Sequence, residues 1–95
     1  MNVSPLWVAA AYGNLAVVKL LLNTQAVDIN ARSTAGQSPM FWAAADGHEG
    51  IVRLLLERNA NPNFVDKDGQ TPLSIAKQNR HSKVVDILTG TGWAA

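Results

Sequence analysis

Three short phrases recur along this chain at nearly constant spacing. Ser4-Pro5-Leu6, Ser38-Pro39-Met40 and Thr71-Pro72-Leu73 stand 34 and then 33 residues apart. Each is followed by an Ala-rich stretch or its counterpart, a short turn and a Val/Leu run. Self-similarity at this period constrains a chain more tightly than composition does. It specifies a solenoid, whose units are too small to bury an apolar face alone and must lean on their neighbours. Function in such an architecture belongs to an exposed surface rather than to an enclosed pocket.

The middle unit shows how each repeat folds. Ser38 ahead of Pro39 suits a helix start, because serine caps the free N–H groups and proline is tolerated in the first turn. Met40, Ala43 and Ala44 then fall on one helical stripe, which predicts a buried face. Gly47 ends the helix by taking the left-handed conformation. A second helix follows over His48-Glu49-Gly50-Ile51-Val52-Arg53-Leu54-Leu55-Leu56-Glu57. Asn59 stands where a positive φ is needed. Pro62 and Asn63 lead into an extended connection and the Asp68-Gly69 turn. The same reading along the chain predicts six helices near 5–12, 15–23, 39–46, 49–57, 72–79 and 82–89, without an extensive sheet.

The second helices each carry a single narrow polar stripe. It runs through Ala16, Lys19 and Asn23, then Gly50, Arg53 and Glu57, then Lys83, Asp86 and Gly90. Nearly everything else on them is Val, Leu or Ile, so both flanks must be covered. Helices of about nine residues are marginal alone in water. Stacking has to supply the stability, with Leu21, Leu55 and Leu88 expected as one buried row.

The repeated Ser/Thr-Pro-Leu/Met-x-x-Ala, the Gly47-His48 pair, the Ile/Val-Val and Leu-Leu-Leu runs and the closing Asn resemble ankyrin repeats. The resemblance covers nearly the whole chain. It implies an all-α ankyrin-repeat solenoid, one domain over 1–95 with repeats near 2–35, 36–68 and 69–95. It also implies hairpin-like loops around 31–37 and 64–70 that project from the helices. The aromatic-rich wording Leu6-Trp7-Val8-Ala9-Ala10 and Phe41-Trp42-Ala43-Ala44 is most similar to long fungal ankyrin arrays.

Departures from the family pattern are informative. The family carries His after Thr-Pro-Leu, where it holds the loop by hydrogen bonding; Trp7, Phe41 and Ser74 stand there. An aromatic contact between neighbours is the expected substitute. Lys77 replaces Ala10 and Ala44, and Arg80 replaces Gly13 and Gly47. A positive φ at Arg80 would store strain of about 1–2 kcal/mol, unless Asn79 takes the turn. An extra residue near Gln25-Ala26 accounts for the longer first period.

Composition removes several function classes. A net charge of +1 gives no nucleic-acid footprint. The absence of cysteine excludes disulfide and thiolate chemistry and suits a reducing compartment, hence an intracellular, cytoplasmic chain. The longest apolar run is far short of a membrane span. His48 and His81 occupy matched places in consecutive units. Packed helices lie about 8–10 Å apart, too far for both rings to bind one metal ion. They read as turn-stabilising side chains bonded to backbone. Asp66 and Asp68 lack the ligand pattern of a calcium loop and read as a solvated hairpin. Gly90-Thr91-Gly92 lacks the Lys-Ser/Thr and helix of a phosphate loop, and no serine has a nucleophile elbow or spaced base. No catalytic, cofactor or metal site is expected.

The resemblance therefore implies a protein or peptide partner, with neither nucleic acid nor membrane. It places specificity on the variable loop and first-helix positions. These are Arg32, Thr34, Ala35 and Gln37 on the first loop, and Val65, Lys67, Asp68 and Gln70 on the second. The first helices contribute Val8, Ala11, Tyr12, Trp42, Ala45, Asp46, Ile75, Gln78 and Asn79. Trp42 is the leading anchor on residue type, since Tyr and Trp dominate binding hot spots; the alternative is a ring half-buried between adjacent first helices. Tyr12, beside Gly13, is expected to be exposed. Two further readings of the chain stand beside this one, a regulatory or substrate-recruiting piece of a larger enzyme or signalling protein and a structural spacer.

The two ends differ. Unit three places Ser82 and Thr89 on one flank and looks closed. Unit one keeps Val17, Val18, Leu20, Leu21 and Leu22 and reads like an interior repeat. Its open flank predicts a longer array, or cover by another molecule, including self-association.

Overall fold

The computed structural model describes residues 5–24 and 28–89. Six helices follow one another: α1 (Pro5–Tyr12), α2 (Leu15–Asn23), α3 (Pro39–Ala45), α4 (Glu49–Glu57), α5 (Pro72–Gln78) and α6 (Ser82–Leu88). No strand occurs among the described residues. The expected helices are all present, with α3, α5 and α6 each ending one residue earlier than the sequence suggests. Two expectations lie outside the described residues: the extra residue near Gln25-Ala26, and the place of Gly90 on the last polar stripe.

Three of the helix starts carry a side-chain cap. Ser38 Oγ accepts from Phe41 N–H at 3.3 Å. Thr71 and Ser74 form a reciprocal capping box at 3.1 and 2.8 Å. Asn14 Oδ1 accepts from Val17 N–H at 3.2 Å. Such caps contribute about 1 kcal/mol each. Each first helix ends in a left-handed residue, Gly13 at φ 75°, Gly47 at φ 75° and Arg80 at φ 63°. Asn59 takes φ 66° after α4, as expected. Arg80 takes the strained turn itself, while Asn79 remains at φ −91°.

The helices stack in two layers. α1, α3 and α5 pack side by side, α2, α4 and α6 form the second layer, and each first helix also packs on its own second helix. One core runs through the stack and includes Leu6, Val18, Met40, Ile51, Val52, Leu55, Ala76 and Val84. The polar stripes Ala16-Lys19-Asn23 and Gly50-Arg53-Glu57 are exposed, as are Lys83 and Asp86.

The expected leucine row is incomplete. Leu55 and Leu88 are buried, but Leu21 is only half-buried and Leu22 is the buried leucine of α2. The positions facing the preceding unit explain this. Val17 is 37% exposed, whereas its counterparts Ile51 and Val84 are 1% and 0% exposed. A preceding helix pair covers those counterparts, and no described residue does the same for Val17 or Leu21.

Candidate protein-binding surface

The loops between helix pairs are tight turns closed on themselves. Ser33 N–H donates to Gln37 O at 2.9 Å, and Asp66 N–H donates to Gln70 O at 2.9 Å. The side chains at the same two positions brace the turns. Ser33 Oγ accepts from the N–H groups of Ala35 and Gln37 at 3.2 and 3.3 Å. Asp66 Oδ1 accepts from Asp68 and Gln70 at 2.9 and 2.8 Å. Lys67 N–H then donates to Ala35 O at 2.9 Å, tying one loop to the next.

Asp66 corrects the expectation of a solvated hairpin. It is 6% exposed, and its second oxygen accepts from Gln37 Nε2 at 3.4 Å. Burial alone would raise its pKa. The hydrogen bonds from Gln70, Asp68 and Gln37, with the Lys67 charge, outweigh burial and hold the carboxyl below its usual range. The signal available in the sequence was the shared spacing of Ser33-x-x-Gly36-Gln37 and Asp66-x-x-Gly69-Gln70. Both residues are turn-formers that bond their own backbone two residues on.

The expected surface residues separate into two groups. Tyr12 is 82% exposed and Val65 53% exposed. Arg32, Thr34, Asp46, Lys67, Asp68, Gln78 and Asn79 are also exposed. The Arg32 guanidinium lies over the Phe64 ring at 4.5 Å, which fixes a long cation on the loop. Asp46 Oδ2 lies 4.0 Å from His48 Nε2.

The second group is engaged within the stack. Val8, Ala11, Ala35, Gln37, Trp42, Ala45, Gln70 and Ile75 are half-buried. Trp42 packs edge-on against Trp7, with centroids 5.1 Å apart and planes at 87°, and against Phe41 at 5.9 Å and 81°. Its Nε1 is buried without a hydrogen-bond partner among the described residues. Aromatic packing thus stands where the family places a histidine network in the first two units. In the third, Ser74 keeps a polar version: its hydroxyl donates to Gln70 Oε1 at 2.6 Å, and Gln70 Nε2 donates to Gln78 Oε1 at 2.9 Å. Asn79 Nδ2 reaches back to Ala45 O at 2.8 Å, so this exposed residue also joins two units.

The two histidines act between units. His81 Nε2 lies 3.0 Å from Ala45 O, and its ring covers Gly47. His48 covers Gly13 in the same manner. The backbone contact expected of both is present at His81; at His48 the neighbours are Gly13 and Asp46.

Residues 3–92 match the family model described as "Ankyrin repeats (3 copies)". The chain belongs to the ankyrin repeat family. It is also 34% identical over 89 residues to a protein of Escherichia coli (strain K12) named for its ankyrin repeats, YahD. That alignment covers 88% of this chain and 44% of the relative, so the chain spans less than half the length of the curated protein it matches. Ankyrin repeats are in general protein-interaction modules rather than enzymes. No helix among the described residues is long and apolar enough to cross a membrane.

Proposed function

We propose that this chain recognises a protein or peptide through the exposed ends of its first helices and its loop tips. The observation that carries this reading is the exposure of two large side chains, Tyr12 at 82% at the end of α1 and Val65 at 53% beside the braced turn that begins at Asp66. Rigid turns lower the ordering cost of binding, and a projecting tyrosine offers a large, stiff contact with a polar tip. Gln37, Gln70 and Asn79 position this surface, because their amides are committed to contacts within the stack. Trp42 supports it from beneath through Trp7 and Phe41. The lack of cysteine supports a reducing, cytoplasmic setting.

The test is selection of peptide ligands on the immobilised chain, followed by titration of the selected ligands against variants. Tyr12→Ala and Val65→Asp should each weaken binding by about tenfold or more, as loss of an interface anchor does. The helical signal should be retained. Ligands that bind all variants equally would move the site elsewhere.

A further inference from the structure

One flank of the stack is apolar and open. Leu20 is 64% exposed and Val17 37% exposed, beside a shallow groove of about 430 Å³ lined by Pro5, Val8, Ala9, Tyr12, Asn14 and Val17. Residues 1–27 contain a single charged side chain, Lys19, against fourteen in residues 28–95. Charge depletion of this kind marks the buried centre of an interface. The repeat register says the same, since the counterparts of Val17 lie buried against a preceding helix pair.

Two occupants are disfavoured by named residues. An upstream repeat would lock onto unit one as units one and two lock onto their successors, through a histidine lying over a glycine. That histidine position is Asn14 in unit one. His48 and His81 make no side-chain cap to their own helices and reach across the seam instead, whereas Asn14 turns onto its own helix and bonds Val17 N–H. A head-to-tail contact between copies would bring the far flank against this one. The far flank carries exposed Lys77 and Arg80, and Arg80 fills the place where Gly13 and Gly47 admit the neighbouring ring. Seating those cations on Val17 and Leu20 would strip water from charges without partners.

We propose that the open flank pairs with the same flank of a second copy about a two-fold axis, Leu20 and Val17 of each copy meeting those of the other and Tyr12 staying outside the contact. Such an isologous contact needs neither the histidine lock nor the charged flank, and it closes at two subunits. The face is small, so the dimer should be weak, with dissociation in the range of about 10 µM to 1 mM.

Sedimentation and light scattering across that range test the proposal on the full chain. The mass should rise from 10.2 kDa towards twice that value and no further. Leu20→Glu and Val17→Ser should each weaken association at least about tenfold with unchanged circular dichroism. Lys77→Glu and Arg80→Glu should leave it intact. A monomer at every concentration, growth beyond the dimer, or equal sensitivity to the far-flank variants would each overturn the proposal. So would unfolding of both flank variants, which would place Val17 and Leu20 in the core. Peptide binding through Val65 is read separately, so failure of either idea leaves the other standing.

Discussion

The ring of His81 lies so close over Gly47 that a Cβ on that glycine would stand 2.6 Å from Nδ1. The glycine thus serves two needs, its own φ of 75° and the neighbour's approach. Gly47→Ala should cost about 2 kcal/mol or more, from the left-handed penalty together with the clash. His81→Ala should cost about 0.5–1.5 kcal/mol, the net worth of one hydrogen bond, because Asn79 Nδ2 still donates to Ala45 O. The double variant should lose less than the sum, because the clash vanishes with the ring. Strict additivity in urea melts would disprove the seam contact.

Arg80 presents the reverse case. It holds φ 63° where the other units use glycine. Arg80→Gly relieves about 1–2 kcal/mol of left-handed strain, offset in part by the greater freedom of glycine in the unfolded chain. A net gain of about 0.5–1 kcal/mol is expected in thermal melts. A loss would show that the Arg80 side chain makes a stabilising contact.

Leu55 is fully buried in the middle unit. Leu55→Ala should cost about 2–5 kcal/mol, whereas Leu20→Ala, on the open flank, should stay within about 0.5 kcal/mol. Equal effects at the two positions would contradict the assigned core.

Architecture was legible because it depends on register, which three copies of one phrase display directly. What escaped depends on environment. Leu21 carries the same letters as Leu55 but lacks the same cover, so pattern alone set both in the core. Asp66 looked like a charge on a solvated loop because its acceptors serve backbone N–H groups, which no side-chain pattern records. Trp42 stands in the sequence as a large aromatic at a first-helix position, but no pattern of letters records that Trp7 and Phe41 hold it half-buried.

Asp66 gives a pH dependence of known sign. Its folded pKa lies below its ordinary 3.8, so the ionised form is favoured in the folded state. Its contribution to stability is complete well above 3.8 and is lost as pH falls below that value through the folded pKa. Melting temperature should therefore fall with acid more steeply for the parent chain than for Asp66→Asn over about pH 2–5. Parallel profiles would remove Asp66 as the cause.

Trp42→Ala should destabilise the stack by about 2 kcal/mol or more through the lost aromatic packing, while Tyr12→Ala should leave melting nearly unchanged. A Trp42→Ala chain of parental stability that binds poorly would instead make Trp42 a direct contact.

The side-by-side order of α1, α3 and α5, with α2, α4 and α6 behind them, has a consequence for communication along the molecule. Packed contacts join each helix pair to the next. A ligand held near Tyr12 can therefore influence Gln78 only by way of the middle pair, through residues such as Trp42, Ile51 and Leu55. Any cooperativity between partners bound at opposite ends must cross that single layer. Loosening the layer would leave two binding regions on one polypeptide with nothing left to say to each other.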